Sequence, residues 1–352
     1  MKKSFYAMLI LMFLMIPVAG SALACDGPDC YGSGAFDIDA KAMGGAIDCD
    51  GKLIPNGAAG GISGAGGISK GDADAQVKKG EASGELHMTG GGITSTESYK
   101  FNVDADRSIG VGSTSNNYAV TGGSLDVNVD PDMGWGARGD ADGRISGVAG
   151  QGSLNGSVVG GSPIFFDTKG VSGGLVGQGS VGAFEGYVDV GAGSDYYCWG
   201  YRDQYAGGHA DAEINMWGGS YSESYRYVNY DQGRKTEGMG TNFDAYTNVT
   251  SNGNDYNYDG AGKCSDWSRS NVSGGFLAAG GGVSNTTQYG NGGLATSTAG
   301  GYYVGAGELG CNYDGSLHGS TYSAITSYDG MKGSVVSSGA EMSVSSKVNT
   351  DR

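Results

Sequence analysis

Apolar and polar residues alternate one for one in several stretches of the chain. Phe36, Ile38, Ala40 and Ala42 are interleaved with Asp37, Asp39 and Lys41. The same pattern recurs over Phe101–Asp106, Leu125–Asp130 and Ala210–Met216. Successive side chains of a strand point to opposite faces, so each stretch predicts a strand with one buried and one solvated face. Between them lie clusters of Gly, Ser, Asn and Asp that read as turns. The dipeptide Asp-Gly recurs at Asp26-Gly27, Asp50-Gly51, Asp142-Gly143, Asp259-Gly260, Asp314-Gly315 and Asp329-Gly330. Both positions of a tight hairpin turn accept such residues, so these dipeptides are expected at turns. Past the first two dozen residues no helix is expected, because each interior glycine costs a helix about 1 kcal/mol.

The pattern predicts an all-β, glycine-rich chain of many short strands with tight turns. They would build an elongated repetitive sheet, as a solenoid-like array, a stacked sandwich or a fibre subunit. Imperfect repeats agree with this: residues 146–153 read SGVAGQGS and residues 172–180 read SGGLVGQGS. No constant period emerges, so a regular solenoid is not assigned.

The start of the chain is different. Lys2 and Lys3 precede an apolar run from Tyr6 to Val18, and Ala22-Leu23-Ala24 follows. Charge, apolar core and small residues in that order make residues 1–24 a secretory signal peptide. Cys25 stands directly after the expected cleavage point, so lipidation there is an alternative to simple cleavage and the one expected route to membrane anchoring. Simple cleavage is favoured, because Ala22 occupies the place where a lipoprotein signal has leucine. The chain is therefore expected to be exported, to the extracellular space or the cell surface and outer envelope of a bacterial-type cell.

Composition narrows the function classes. The formal net charge is -16. Such acidity repels nucleic acid and anionic lipid, so nucleic acid is excluded as a partner. Leu, Ile, Val and Phe fall below the ~20% at which disorder competes with folding, so any core must be thin. The strict alternation argues for order. Beyond the signal peptide four segments are separable: a cysteine-containing segment at 25–57, a Gly/Ala/Ser/Asp-rich region at 58–190, a Tyr/Trp/Asn-rich region at 191–330 and a tail at 331–352. Of the 22 tyrosines, 17 follow residue 190.

Candidate chemistry is sparse. Six cysteines, Cys25, Cys30, Cys49, Cys198, Cys264 and Cys311, are disulfide candidates in an oxidising compartment, with pairing open. Asp255, Asn257 and Asp259, followed by Gly260 and then Asp266, match the spacing of a calcium loop, in which a turn at glycine brings alternate oxygens round one ion. Lys263 and the missing flanking helices weaken the match, and calcium is the sole cofactor the sequence suggests. Tyr197, Trp199, Tyr201, Trp217 and Tyr225 form an aromatic-rich stretch that fits either cross-strand packing or a binding face for sugar or protein. His87, His209 and His318 have no metal-ligand spacing, and two G-x-S-x-G matches lack the following helix that a nucleophile elbow needs. The expected function is a non-enzymatic exported structural or cell-surface interaction protein, fibre-, matrix- or adhesin-like, whose partners are further copies of itself or other surface components. The alternatives are an extracellular binding module for carbohydrate or protein with calcium sites, and an outer-membrane β-barrel.

Overall fold

The computed structural model describes residues 33–54, 57–78, 80–104, 108–131, 137–160, 171–194, 206–231, 234–259, 266–290, 293–308, 312–328 and 333–349. These form twelve strands and no helix: β1 (Ser33–Ile54), β2 (Gly57–Lys78), β3 (Gly80–Asp104), β4 (Ser108–Pro131), β5 (Arg138–Gly160), β6 (Val171–Ser194), β7 (Ala206–Asp231), β8 (Arg234–Asp259), β9 (Asp266–Gly290), β10 (Gly293–Glu308), β11 (Asn312–Tyr328) and β12 (Gly333–Asn349). The protein is all-β, as the alternation predicts. β7 and β8 have 26 residues each, which at ~3.4 Å per residue makes them nearly 90 Å long. The alternating runs of the sequence are segments of these strands.

The strands pair into two antiparallel six-stranded sheets, ordered β1-β2-β5-β6-β9-β10 and β12-β11-β8-β7-β4-β3. Successive hairpins are dealt alternately to the first sheet and the second. Both sheets therefore draw on the whole chain, and β6 runs through residue 190 without interruption. Three Asp-Gly dipeptides expected at turns are instead inside strands. Asp50 pairs with Gly61, Asp142 pairs with Asp74 and Asp189, and Asp314 pairs with Lys347 and Thr250. Glycine permits a turn without requiring one, and pairing with neighbouring strands, on one side for Asp50 and on both for Asp142 and Asp314, holds these residues extended.

The sheets face each other across a layer with three zones. At one end lies the main apolar core. Ile38, Val77, Leu86, Leu125, Ile145 and Ile214 are fully buried there. A waist of glycine and alanine follows. A Cβ on Gly67 would lie 1.8 Å from the carbonyl oxygen of Val120, and one on Gly92 would lie 2.3 Å from that of Ala65. Backbone meets backbone here, and only glycine leaves the space. Gly274 of β9 is needed for a second reason: its φ is +143°, outside the range L-residues adopt readily.

Beyond the waist the interior is mostly polar, with Val111, Val159, Val176 and Phe243 buried among the polar side chains. Asn155 is fully buried and accepts hydrogen bonds from Ser113 at 2.9 Å and Ser115 at 3.0 Å. Its own amide donates to Ser222 Oγ at 2.6 Å. Gln178 donates to Ser153 at 3.0 Å and to Ser220 at 2.5 Å, and Ser157 bonds Ser224 at 2.7 Å. Buried hydroxyls and amides are stabilised by partners, and most of these bonds run from one sheet to the other, although the buried Gln151 amide makes no hydrogen bond among the described residues. The free edge of β3 is covered in the same way. The backbone N–H groups of Thr96 and Ser98 donate to the carboxylates of Asp48 and Asp50 at 2.6 and 2.7 Å, which removes two open donors from an edge strand.

Candidate functional site

The expected sites are scattered. Asp255, Asn257 and Asp259 occupy the extended end of β8, paired opposite Ala210, Gly208 and Ala206. Asp266 opens β9, in the other sheet. Positions two apart in a strand are ~7 Å apart, and residues 260–265 lie outside the described residues. Among the described residues no group of three or more His, Cys, Asp and Glu is placed to hold a metal ion. Tyr197, Trp199 and Tyr201 lie outside the described residues, as do Cys25, Cys30, Cys198, Cys264 and Cys311. Cys49 is a free thiol, exposed on the outer face of β1.

Trp217 and Tyr225 both lie half-buried on the outer face of the second sheet. Their neighbours explain the second of them. Tyr225 pairs with Gly112 on one side and Gly240 on the other, and a Cβ on Gly240 would lie 2.6 Å from the Tyr225 ring. The ring thus covers a glycine of the next strand. Tyr246 covers Gly219, and Phe101 covers Gly110, in the same manner. Tyr99 reaches across Gly112 to donate a 2.7 Å hydrogen bond to Glu223. Burial first, and that carboxylate second, push the Tyr99 hydroxyl far above its usual range. Tyr221 is pushed up to about 12, again by burial and then by Glu223. These tyrosines are neutral donors at any physiological pH.

Charge is gathered at the apolar-core end. Register places Asp37, Asp74, Asp142 and Asp189 side by side on the outer face of the first sheet. Arg269 answers this row, 3.2 Å from both Asp140 and Asp189. Burial, followed by the carboxylates of Asp74, Asp189 and Asp72, raises the Asp142 pKa. The second sheet repeats the theme with Glu85, Asp126 and Asp211 in one row. Burial raises the Asp126 pKa against the pull of His209, which lies 3.4 Å away.

The feature that sequence reasoning missed is the other half of the first sheet. From the row of Met43 to the row of Leu53, no Asp, Glu, Lys or Arg points outward among the described residues. Met43, Ile47 and Leu53 are 63%, 82% and 85% exposed. Ile62, Leu154, Leu175 and Val283 are exposed on the same face. Glycines separate them: Gly64, Gly152, Gly179 and Gly281 form one continuous row across four strands. This face lies directly over the mostly polar part of the interior, so the usual order of polarity is largely inverted in this half of the protein. A depression of about 570 Å³ opens at its border, floored by Ala183 between Val148 and Leu277, with Lys70, Arg144 and Glu185 on the charged side. A monomeric soluble protein seldom exposes an apolar face beyond a few hundred Å² unless something binds it.

The GQG element of the two repeats was the available signal. Gly150-Gln151-Gly152 and Gly177-Gln178-Gly179 lie on adjacent strands, each with glutamine buried and glycines outward. No protein-family model matches the chain, and no curated protein is significantly similar to it.

Proposed function

We propose that the protein is an exported, non-enzymatic structural or surface-interaction protein that works by presenting the uncharged half of its first sheet to other components of the cell surface. The observation that carries this reading is the inversion of polarity: exposed Ile62 and Leu154 lie outside a layer in which Asn155, Ser153 and Gln178 are buried. A chain that needed only to be soluble gains nothing from that arrangement, whereas a docking surface does. The signal sequence at residues 1–24 supplies the route outward. The pairing orders end at different strands in each sheet, which favours two stacked open sheets over a single closed barrel.

The test is fractionation of a bacterium expressing the full chain. The mature N-terminus is read by mass spectrometry, alongside the variant Ile62→Glu/Leu154→Glu. The expected result is a processed chain held at the cell surface, with the variant folded but released into the medium. An unprocessed chain in the cytoplasm, or equal retention of the variant, overturns the reading.

A further inference from the structure

We propose that the protein pairs with a second copy of itself through the uncharged half of the first sheet, across a two-fold axis lying along the row of Gly64, Gly152, Gly179 and Gly281. This rests on the surface-interaction reading and names the partner.

The face is large enough. An outward residue covers ~33 Å² of a sheet, from a 6.8 Å two-residue repeat and a 4.8 Å strand spacing. The five rows from Met43 to Gly51, which this axis sets against one another, therefore span about 1,000 Å² across six strands. Two copies would bury about 2,000 Å², above the ~1,600 Å² of a standard stable interface.

The face is also complementary to itself. A two-fold axis in the plane of the interface, perpendicular to the strands, sets each strand against the same strand of the partner with its rows reversed. On β2, Ile62 then meets Gly66 and Ile68 meets Gly60. On β5, Leu154 meets Gly150 and Val148 meets Gly156. On β6, Val181 meets Gly177, and on β10, Val304 meets Gly300. On β1, Met43 meets Gly51. Each pair is equidistant from the glycine row in the observed register. Large residues thus fall opposite glycines on five strands, while Ile47 and Tyr302, at the two ends of the axis row, meet their own copies at the edges of the interface. Leu175 meets Ala183, the floor of the 570 Å³ depression, which has room for it. Facing sheets cross at about 30°, and the central row, lying on the axis, is displaced least.

Charge selects this axis over the alternative. A two-fold axis along the strands would stack Asp37, Asp74, Asp142 and Asp189 on their own copies. The proposed axis carries the two acidic rows beyond opposite ends of the interface. Only the row of Lys41, Lys70 and Glu185 meets the partner's rim, where long side chains reach solvent.

The test is sedimentation velocity of the purified exported chain over a range of concentrations. A monomer–dimer equilibrium is expected. Val181→Gly and Gly177→Val should each raise the dimer Kd by about tenfold or more, the first by losing a buried valine and the second by setting valine against valine. The double variant restores large against small and should return the Kd to within about threefold of the original. A Cβ at Gly177 would lie 3.4 Å from the Leu154 side chain and 4.0 Å from the Ser153 carbonyl oxygen, both ordinary contacts, so the variant fits the monomer. Gly64→Glu, whose Cβ has nothing nearer than 3.7 Å, provides a second variant that should abolish the dimer. Circular dichroism melting confirms that each is folded. A wild-type chain that stays monomeric, or a double variant worse than either single one, overturns the pairing. If that monomer instead floats with phosphatidylcholine vesicles and Gly64→Glu does not, the pairing is wrong and the surface reading stands. If it neither floats nor is held at the cell surface, both fall.

Discussion

The ring of Tyr99 lies so close over Gly112 of the neighbouring strand that a Cβ on Gly112 would fall 2.3 Å from the ring. A flat aromatic side chain here fills the gap that a missing side chain leaves, a known device for stabilising glycine in sheets. Gly112→Ala would ordinarily favour a strand. Here it should lower stability by about 1–3 kcal/mol through overpacking. Urea unfolding measures it. An unchanged or raised midpoint would mean that the ring is not seated on Gly112.

Asn155 joins Ser113 and Ser115 of the second sheet to Ser222 of the same sheet. Removing it leaves buried hydroxyls without their partner. Asn155→Ala should destabilise by about 2–4 kcal/mol, the cost of one cavity and more than one unmade hydrogen bond. Asn155→Ser should recover little of that, because a hydroxyl cannot reach both sides. Both are read from urea midpoints, and a loss below about 0.5 kcal/mol would show that the polar layer does not hold the sheets together.

Alternation revealed the strand class because it survives wherever outward positions are polar, as at Asp37 and Asp39 beside Ile38. It disappears where both faces hold small residues. Between Gly57 and Ser69 the inward and outward positions are both glycine, alanine, serine or isoleucine, and the full length of β2 cannot be read there. The interaction face was hidden for a related reason. It depends on pairing β2 with β5 and β6 with β9, strands far apart in the sequence. Only the register brings Gly64 beside Gly152 and Gly179 beside Gly281. The aromatic stretch was legible as a list of residues, but its role over glycines follows from the cross-strand partner of each ring.

The acidic row has a consequence for pH. Burial and then neighbouring carboxylates raise the Asp142 pKa, so the folded state holds this proton more tightly than the unfolded chain. Stability contributed by the protonated carboxyl is present at low pH and lost as pH rises from the unfolded value through the folded one. At neutral pH the row is therefore a standing repulsion. Asp142→Asn should raise stability at pH 7 by on the order of 0.5 kcal/mol, since solvent screens the exposed groups. The gain should vanish near pH ~3, where the native carboxyl is protonated. Thermal unfolding at the two pH values measures the difference. A gain that persists at low pH would assign the effect to something other than charge.

The central claim is that the protein uses the uncharged half of its first sheet as its contact surface. Hydroxyl-radical footprinting, read residue by residue by mass spectrometry, tests it most directly by comparing the associated protein with the dispersed chain. Association should protect Met43, Ile62, Leu154 and Val283, while Trp217 and Tyr225 on the opposite face keep their reactivity. Protection of Trp217 and Tyr225 with Met43 and Leu154 still oxidised would contradict the claim and move the contact surface to the aromatic face.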